Sequence, residues 1–244
     1  AHPNNVIYLT EKFRLKTKDI EHIIACIDEE KRQTYDYDNI QRIYREYSAH
    51  QIDDRALVKD FKTNLSTKEV LVIVPGHSVV ENQEKIQSYI QKEHPIVISV
   101  NFEAENFIVD YVFYGNVRRY EKSHIKKDKS CILTSNIKPK SENEFVFNYF
   151  DLIEAEGKYF DNSTIMLLNL LHRFGVKKIT LAGFDGFSQE RNAFVDDTFY
   201  ENRFIDSYDI MNKELEKMLR NLAERFSKKI EVSFITPSLY QKIF

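Results

Sequence analysis

The chain has 244 residues, of which 42% are hydrophobic and 30% charged, and its formal net charge is −3. This balance is typical of a soluble globular protein, and it argues against a nucleic-acid partner, which would require a basic excess. The sequence contains no long uncharged apolar run for a membrane span and no signal-peptide pattern. Cys26 and Cys131 lie far apart without a CxxC spacing, which fits a reducing cytoplasm and argues against a zinc site.

The first quarter of the chain has a helical pattern. Apolar residues recur at helical spacing within residues 17–31, 35–49 and 53–61. We therefore expect residues 1–66 to form a helical linker and residues 67–244 to form a separate domain. Because the sequence opens on Ala-His-Pro-Asn without an initiator methionine, we also expect it to be part of a longer polypeptide.

The hydrophobic period changes near residue 68. Short, continuous apolar runs occupy residues 70–74, 96–100, 111–114, 131–133, 179–182 and 232–235. Such runs are typical of strands that are covered on both faces, and helical patterns lie between several of them. The alternation predicts an α/β fold with a Rossmann-like, doubly wound and mostly parallel sheet.

Small and polar residues follow each predicted strand. Since the carboxyl ends of parallel strands lie at one edge of a sheet, we expect these residues to line one crevice and bind a ligand. The candidate ligand-binding residues are Gly76, Ser78, Asn101, Asn116, Arg118, Ser135 and Ser238. Asn101 fits either a contact to a base or ribose or the closure of a turn. Arg118 begins a basic stretch that fits either a solvated loop or a phosphate clamp.

The turn Pro75-Gly76-His77-Ser78 is the first of these strand ends. Gly76 allows a positive φ or the close approach of a ligand, and Ser78 can cap the next helix and leave N–H groups facing a phosphate. The turn matches neither a Walker A nor a GxGxxG motif, and an ordinary capped strand-to-helix turn also explains it.

Asp185 and His77 are the candidate catalytic residues. Asp185 lies between two glycines, and it can orient a sugar hydroxyl, act as a general base, or hold Mg²⁺ together with Asp196 or Asp197. An Asx-type turn is the structural alternative. His77 is a candidate because its turn borders the predicted crevice.

The N-terminal residues carry a first resemblance. "AHPNNVIYL" at residues 1–9, the following "EKFRL" and the later "EEKRQTYDYDNIQRIYREY" resemble the stretch that follows the TIM barrel in aldolase-like proteins of bacterial capsule and surface-polysaccharide loci. These proteins are related to 4-hydroxy-2-oxovalerate aldolase. The resemblance implies that the chain is the C-terminal part of a bifunctional aldolase-type polypeptide, with the barrel as its partner. The barrel's metal ligands and catalytic residues are not in this sequence.

The remainder carries a second resemblance. The turn at residues 75–78, Asn101, "FGVKKITLAGFDGF" at residues 174–187 and "FITPSLYQKIF" at residues 234–244 are similar to motifs of a shared Rossmann-like domain. That domain occurs in bacterial sialyltransferases that use CMP-sialic acid and in pterin pyrophosphokinase-like proteins. The resemblance implies a CMP-like nucleotide as ligand, with no obligatory metal.

Two departures from the sialyltransferase pattern bear on the reaction. Those enzymes carry a general-base histidine ahead of the last long helix, whereas no histidine follows His172 in this chain. Tyrosine hydroxyls steady their leaving phosphate, whereas Phe187 and Phe194 occupy that region here, and a phenyl ring donates no hydrogen bond. We therefore expect the binding fold without sialyl transfer by that mechanism.

Three functions follow from these patterns. The first is a nucleotide-sugar-binding, glycosyltransferase-like domain in surface-polysaccharide biosynthesis. The second is a non-catalytic scaffold or regulatory domain of the aldolase. The third is a Mg²⁺-dependent, pyrophosphokinase-like reaction, which requires a carboxylate cluster that only Asp185 with Asp196 or Asp197 can supply.

Overall fold

A seven-stranded sheet forms the centre of the protein. The structure, a computed structural model, describes residues 52–123, 129–154, 161–188, 208–227 and 229–244. The strands are β1 (Glu69–Ile73), β2 (Ile96–Val100), β3 (Tyr111–Tyr114), β4 (Ser130–Thr134), β5 (Glu144–Phe147), β6 (Lys178–Ala182) and β7 (Glu231–Phe234). Their order across the sheet is β5-β4-β3-β2-β1-β6-β7, and every neighbouring pair is parallel. The predicted α/β, Rossmann-like fold is confirmed, with a fully parallel sheet where a mostly parallel one was predicted.

Helices cover both faces of the sheet. They are α1 (Arg55–Leu65), α2 (Ser78–Glu81), α3 (Gln83–Glu93), α4 (Val117–Lys122), α5 (Ser163–Arg173) and α6 (Tyr208–Phe226), with one turn of 3-10 helix at Tyr149–Asp151. Apolar side chains of α1, α5 and α6 share one core with the sheet. Side chains of α2, α3 and α4 pack on the opposite face. None of the helices in the described ranges is long and apolar enough to cross a membrane.

Helix α1 packs on the sheet, although the sequence places it in the predicted linker. The Phe61 ring stacks on Phe174, which directly follows α5, at a centroid distance of 4.9 Å and meets Phe145 and Phe147 of β5 edge-on. Residues 53–61 were predicted to be helical, and α1 confirms that helix with a longer extent. The other two predicted helices, at residues 17–31 and 35–49, lie outside the described residues.

Cys131 lies on β4 and is fully buried as a free thiol. Burial raises the pKa of this thiol to about 12, so the side chain stays protonated and unreactive at neutral pH. It fills the core on the α4 side of the sheet. Cys26 lies outside the described residues.

Candidate functional site

The strand order reverses between β1 and β6. From β1 the chain proceeds outward through β2, β3, β4 and β5, and then returns to form β6 on the other side of β1. In open α/β sheets, ligands bind at the carboxyl edge where such a reversal occurs. The turns that follow β1 and β6 therefore define the candidate site.

Two glycines allow these turns to touch. The Gly76 N–H donates to the Gly183 carbonyl oxygen at 3.0 Å. A Cβ on Gly76 would lie 2.2 Å from that oxygen, and a Cβ on Gly183 would lie 2.1 Å from the Val74 carbonyl oxygen. Gly183 also has a φ of +76°, which glycine adopts without strain. The close approach that the sequence assigns to a ligand at Gly76 is thus made by the chain itself.

Asp185 binds the donors of Ser78. Its Oδ2 accepts a hydrogen bond from the Ser78 N–H at 2.9 Å, and its Oδ1 accepts one from the Ser78 hydroxyl. Ser78 does not cap α2, because the preceding residue His77 occupies the N-cap position. The Asp185 carboxylate therefore lies where the sequence predicts a ligand phosphate.

Burial raises the pKa of Asp185, and the two hydrogen bonds from Ser78 lower it; the net effect is a pKa above the ordinary value. His77 lies beside this pair in the sequence, with its side chain 36% exposed and its Nε2 3.8 Å from Glu81 Oε1. The two predicted catalytic residues thus belong to adjoining turns, with His77 directed toward Glu81 and Asp185 toward Ser78.

The residues after β7 hold the loop that carries Asp185, here called the Asp185 loop and defined as residues 183–188. The Gly183 N–H donates to Thr236 Oγ1 at 2.9 Å, and the Ser238 hydroxyl donates to the Phe184 carbonyl oxygen at 2.5 Å. The Leu239 N–H donates to the Asp185 carbonyl oxygen at 3.0 Å. Ser238, a predicted ligand residue, thus fixes the loop from within the protein.

Asn212 of α6 also holds the Asp185 loop. Its Oδ1 accepts from the Phe187 N–H at 2.8 Å, and its Nδ2 donates to the Phe187 carbonyl oxygen at 2.8 Å. Its Oδ1 also accepts from the Tyr240 hydroxyl at 2.7 Å. Asn212 is not among the candidate residues predicted from the sequence. The sequence does contain one sign of its role. Asn212 is an amide at helical spacing from Leu215 and Leu219, in line with the apolar face of the helix.

A cavity of about 560 Å³ adjoins this loop. Its polar and apolar lining includes Asp185, Ser188, Tyr208, Asp209, Asn212 and Leu239. Among the described lining residues there are two carboxylates and no lysine or arginine. Carboxylates accept hydrogen bonds from hydroxyl groups, so this lining suits a hydroxyl-bearing group better than a phosphate.

The other predicted ligand residues lie at the same edge of the sheet but follow strands other than β1 and β6. Asn101, with a φ of +61°, accepts from the Gly115 N–H at 3.3 Å and so links the ends of β2 and β3. Asn116 caps α4 by accepting from the Arg119 N–H at 3.1 Å, and Arg118 is exposed on that helix. Ser135, after β4, accepts from the Tyr149 N–H at 3.0 Å. Ser135 is three strands away from β1, roughly 14 Å at the usual strand spacing.

The proposed partners of Asp185 in a Mg²⁺ site, Asp196 and Asp197, lie outside the described residues. Within the described ranges, no group of three or more histidine, cysteine, aspartate or glutamate side chains is arranged to hold a metal ion. Asp185 itself is engaged by Ser78.

No known protein family and no curated protein matches this sequence. The two resemblances noted in the sequence therefore stay expectations.

Replacing Asp185 by asparagine is expected to stabilise the protein at neutral pH. A carboxyl whose native pKa is raised contributes stability that is complete below its ordinary pKa of about 3.9 and is lost as the pH rises through the native pKa. The amide in Asp185→Asn keeps an acceptor for the Ser78 N–H and carries no charge. Urea denaturation at pH 7 should therefore show a gain in the free energy of unfolding that disappears near pH 4.

The matched control is Asp60→Asn, which removes one carboxylate from the exposed side of α1 and should leave the free energy of unfolding unchanged. A loss of stability in Asp185→Asn at pH 7 would contradict the prediction. It would mean that the hydrogen bonds from Ser78 favour the ionised carboxylate more than burial opposes it.

Proposed function

We propose that the carboxyl edge of the sheet binds a nucleotide or nucleotide sugar beside the Asp185 loop. The observation that carries the proposal is the reversal of strand order between β1 and β6, because open α/β sheets bind their ligands at that point. The adjoining cavity of about 560 Å³ lies within the range of roughly 300–1,000 Å³ that is usual for small-molecule sites.

The charges at the edge suggest how such a ligand lies. A ribose or sugar occupies the cavity, where Asp185 and Asp209 accept hydrogen bonds from its hydroxyls. Its phosphates are directed away from these carboxylates, toward the ends of β2 and β3. There, Asn101 and Asn116 supply polar groups and Arg118 supplies positive charge.

In the enzymatic form of the proposal, the domain is glycosyltransferase-like. The raised pKa of Asp185 makes its carboxylate a stronger base than an ordinary aspartate, which suits a general base. The domain then serves surface-polysaccharide synthesis next to the aldolase barrel of the same polypeptide. A cytoplasmic location agrees with the free thiol of Cys131.

A non-catalytic scaffold is the second candidate function, and one observation favours it. Several predicted ligand residues already bind other parts of the chain: Ser78 binds Asp185, Ser135 binds Tyr149, and Ser238 binds Phe184. A sheet edge whose polar groups satisfy one another is stable without a ligand. In this form the domain holds or regulates the aldolase barrel.

A thermal-shift screen distinguishes the two candidates. The chain is tested against CMP, CDP, UDP and GDP and their sugar derivatives, with and without Mg²⁺. A nucleotide at 100 times its dissociation constant should stabilise the protein by about 2.7 kcal/mol. We expect one nucleotide to raise the melting temperature, Asp185→Asn to abolish that shift, and Asp60→Asn to retain it.

Each melting temperature is compared with that of the same variant without ligand, because Asp185→Asn is itself expected to change stability. The absence of a shift with every nucleotide would overturn the proposal and favour the scaffold. A shift that persists in Asp185→Asn would place the nucleotide away from the Asp185 loop.

A further inference from the structure

Both polar atoms of the Asn212 side-chain amide form hydrogen bonds within the protein, to Phe187 in the Asp185 loop and to Tyr240 in the C-terminal segment. The pair of hydrogen bonds to the Phe187 N–H and carbonyl oxygen, each 2.8 Å long, closes a ring between the side chain and the backbone. The Tyr240 hydroxyl, 2.7 Å from Asn212 Oδ1, supplies a further donor. A half-buried amide with three protein partners has a fixed position and orientation.

From this geometry we infer that Asn212 is a positioning residue, which holds the Asp185 loop so that the Asp185 carboxylate faces both Ser78 and the cavity. The inference rests on the proposed function of this sheet edge and extends it. Asn212 acts through the backbone of Phe187, two residues beyond Asp185, and its described hydrogen bonds go to Phe187 and Tyr240 rather than to the carboxylate.

Gly186 explains why the loop requires this attachment. It lies between Asp185 and Phe187 with a φ of +107°, a conformation that glycine adopts freely. On one side of it, Leu239 and Ser78 hold Asp185. On the other side, the described hydrogen bonds of the Phe187 backbone go to Asn212. Loss of Asn212 removes both of these attachments from the backbone that follows Gly186.

Tyr240 sets the orientation of the amide. Its ring is buried and lies 5.2 Å from the Phe184 ring, so its hydroxyl reaches Asn212 from a fixed direction. Because the hydroxyl and the Phe187 N–H both donate, Oδ1 must face them and Nδ2 must face the Phe187 carbonyl oxygen. An aspartate at position 212 would place a second acceptor against that carbonyl oxygen, so an amide is required.

The test measures the titration of Asp185 and the affinity for nucleotide in the whole chain. Carbon-13 NMR follows the Asp185 carboxyl in the wild type and in Asn212→Ala and Tyr240→Phe. The described titratable groups around it are His77 of the adjoining turn, Glu81 of α2, and Tyr208 and Asp209 of the cavity. Lys213→Ala is the control, since Lys213 is the exposed next residue of α6.

We expect Asn212→Ala to lower the pKa of Asp185 toward its ordinary value, because the released carboxyl reaches solvent. Tyr240→Phe should lower this pKa to a smaller extent, and Lys213→Ala should leave it unchanged. The affinity for the nucleotide found in the screen should fall roughly tenfold in Asn212→Ala, the effect of losing one hydrogen bond between the displaced Asp185 carboxylate and the ligand.

An unchanged Asp185 titration in Asn212→Ala would overturn the inference. If that variant fails to fold, the same criterion applies to Tyr240→Phe, which retains the aromatic ring in the core. A wild type that binds no nucleotide would refute the proposed function alone, because the NMR titration decides the role of Asn212 without a ligand.

Discussion

Replacing Gly183 by alanine is expected to destabilise the protein by about 3 kcal/mol or more, the combined effect of a strained φ and an overpacked contact. The new Cβ would lie 2.1 Å from the Val74 carbonyl oxygen and 2.4 Å from Val79 Cγ2. Rotating a side chain cannot relieve the first contact, because the oxygen belongs to the backbone. Val74 is also held in place by the hydrogen bond of its N–H to the Ala182 carbonyl oxygen at 2.8 Å.

Gly175→Ala provides a control with the same backbone conformation. Gly175 has a φ of +73°, but a Cβ there would lie 3.5 Å from Lys62 Cε, an ordinary contact with a flexible side chain. Its cost should be about 1 kcal/mol, from the positive φ alone. Urea denaturation gives the free energy of unfolding of both variants. The difference between their losses is the contribution of the close contact between the turns after β1 and β6. Equal losses in the two variants would show that these turns are not in close contact.

The buried strands were predictable because their sequences are apolar on both faces. In β1 and β2 every residue except the first is buried, so a continuous apolar run is the expected pattern. Strand β5, which the sequence analysis does not predict, lies at the edge of the sheet. Only Phe147 in it is buried. A four-residue edge strand with one buried side chain carries too little periodicity to separate it from a loop.

The location of the candidate site was also predictable, but its internal contacts were not. The polar residues after each strand lie at one edge because all strands run in parallel. The contact between Ser78 and Asp185 joins residues 107 positions apart, and it exists because β6 lies beside β1. Strand order is a property of the packed sheet, and no local pattern contains it.

For Asn212, too, the sequence indicates a half-buried position but not the contact that the residue makes there. Its position in line with the apolar face of α6 is visible in the sequence, and a polar residue there signals a buried hydrogen bond. Its partner is Phe187, 25 residues earlier. The identity of that partner depends on how α6 lies against the Asp185 loop, which only the folded structure determines.

Replacing Arg173 by alanine is expected to cost roughly 3–5 kcal/mol at neutral pH, the usual penalty for leaving a buried charge without its partner. Asp54, which directly precedes α1, is 4% exposed. Its two oxygens accept from the Arg173 guanidinium at 2.8 and 2.6 Å, and its Oδ2 also accepts from the Asn148 N–H at 2.9 Å. Since Arg173 belongs to α5, its loss also weakens the attachment of α1 to the sheet.

The pH dependence of this loss has a definite sign. Burial raises the pKa of Asp54, but the hydrogen bonds from Arg173 and Asn148 outweigh burial, and the pKa lies below its ordinary value. A lowered native pKa contributes stability above the unfolded pKa of about 3.9, and that stability is lost as the pH falls through the native pKa. The deficit of Arg173→Ala should therefore be largest near pH 7 and shrink below pH 4 or thereabouts.

Arg220→Ala is the control for the loss of an arginine from an ion pair. Arg220 contacts Glu216 at 2.6 Å on the exposed side of α6, and its removal should change the free energy of unfolding by less than about 1 kcal/mol. Urea denaturation of both variants at pH 7 and pH 4 compares a buried pair with an exposed one. If Arg173→Ala cost no more than Arg220→Ala at pH 7, Asp54 would have to be solvated, and its ion pair would not attach α1 to α5.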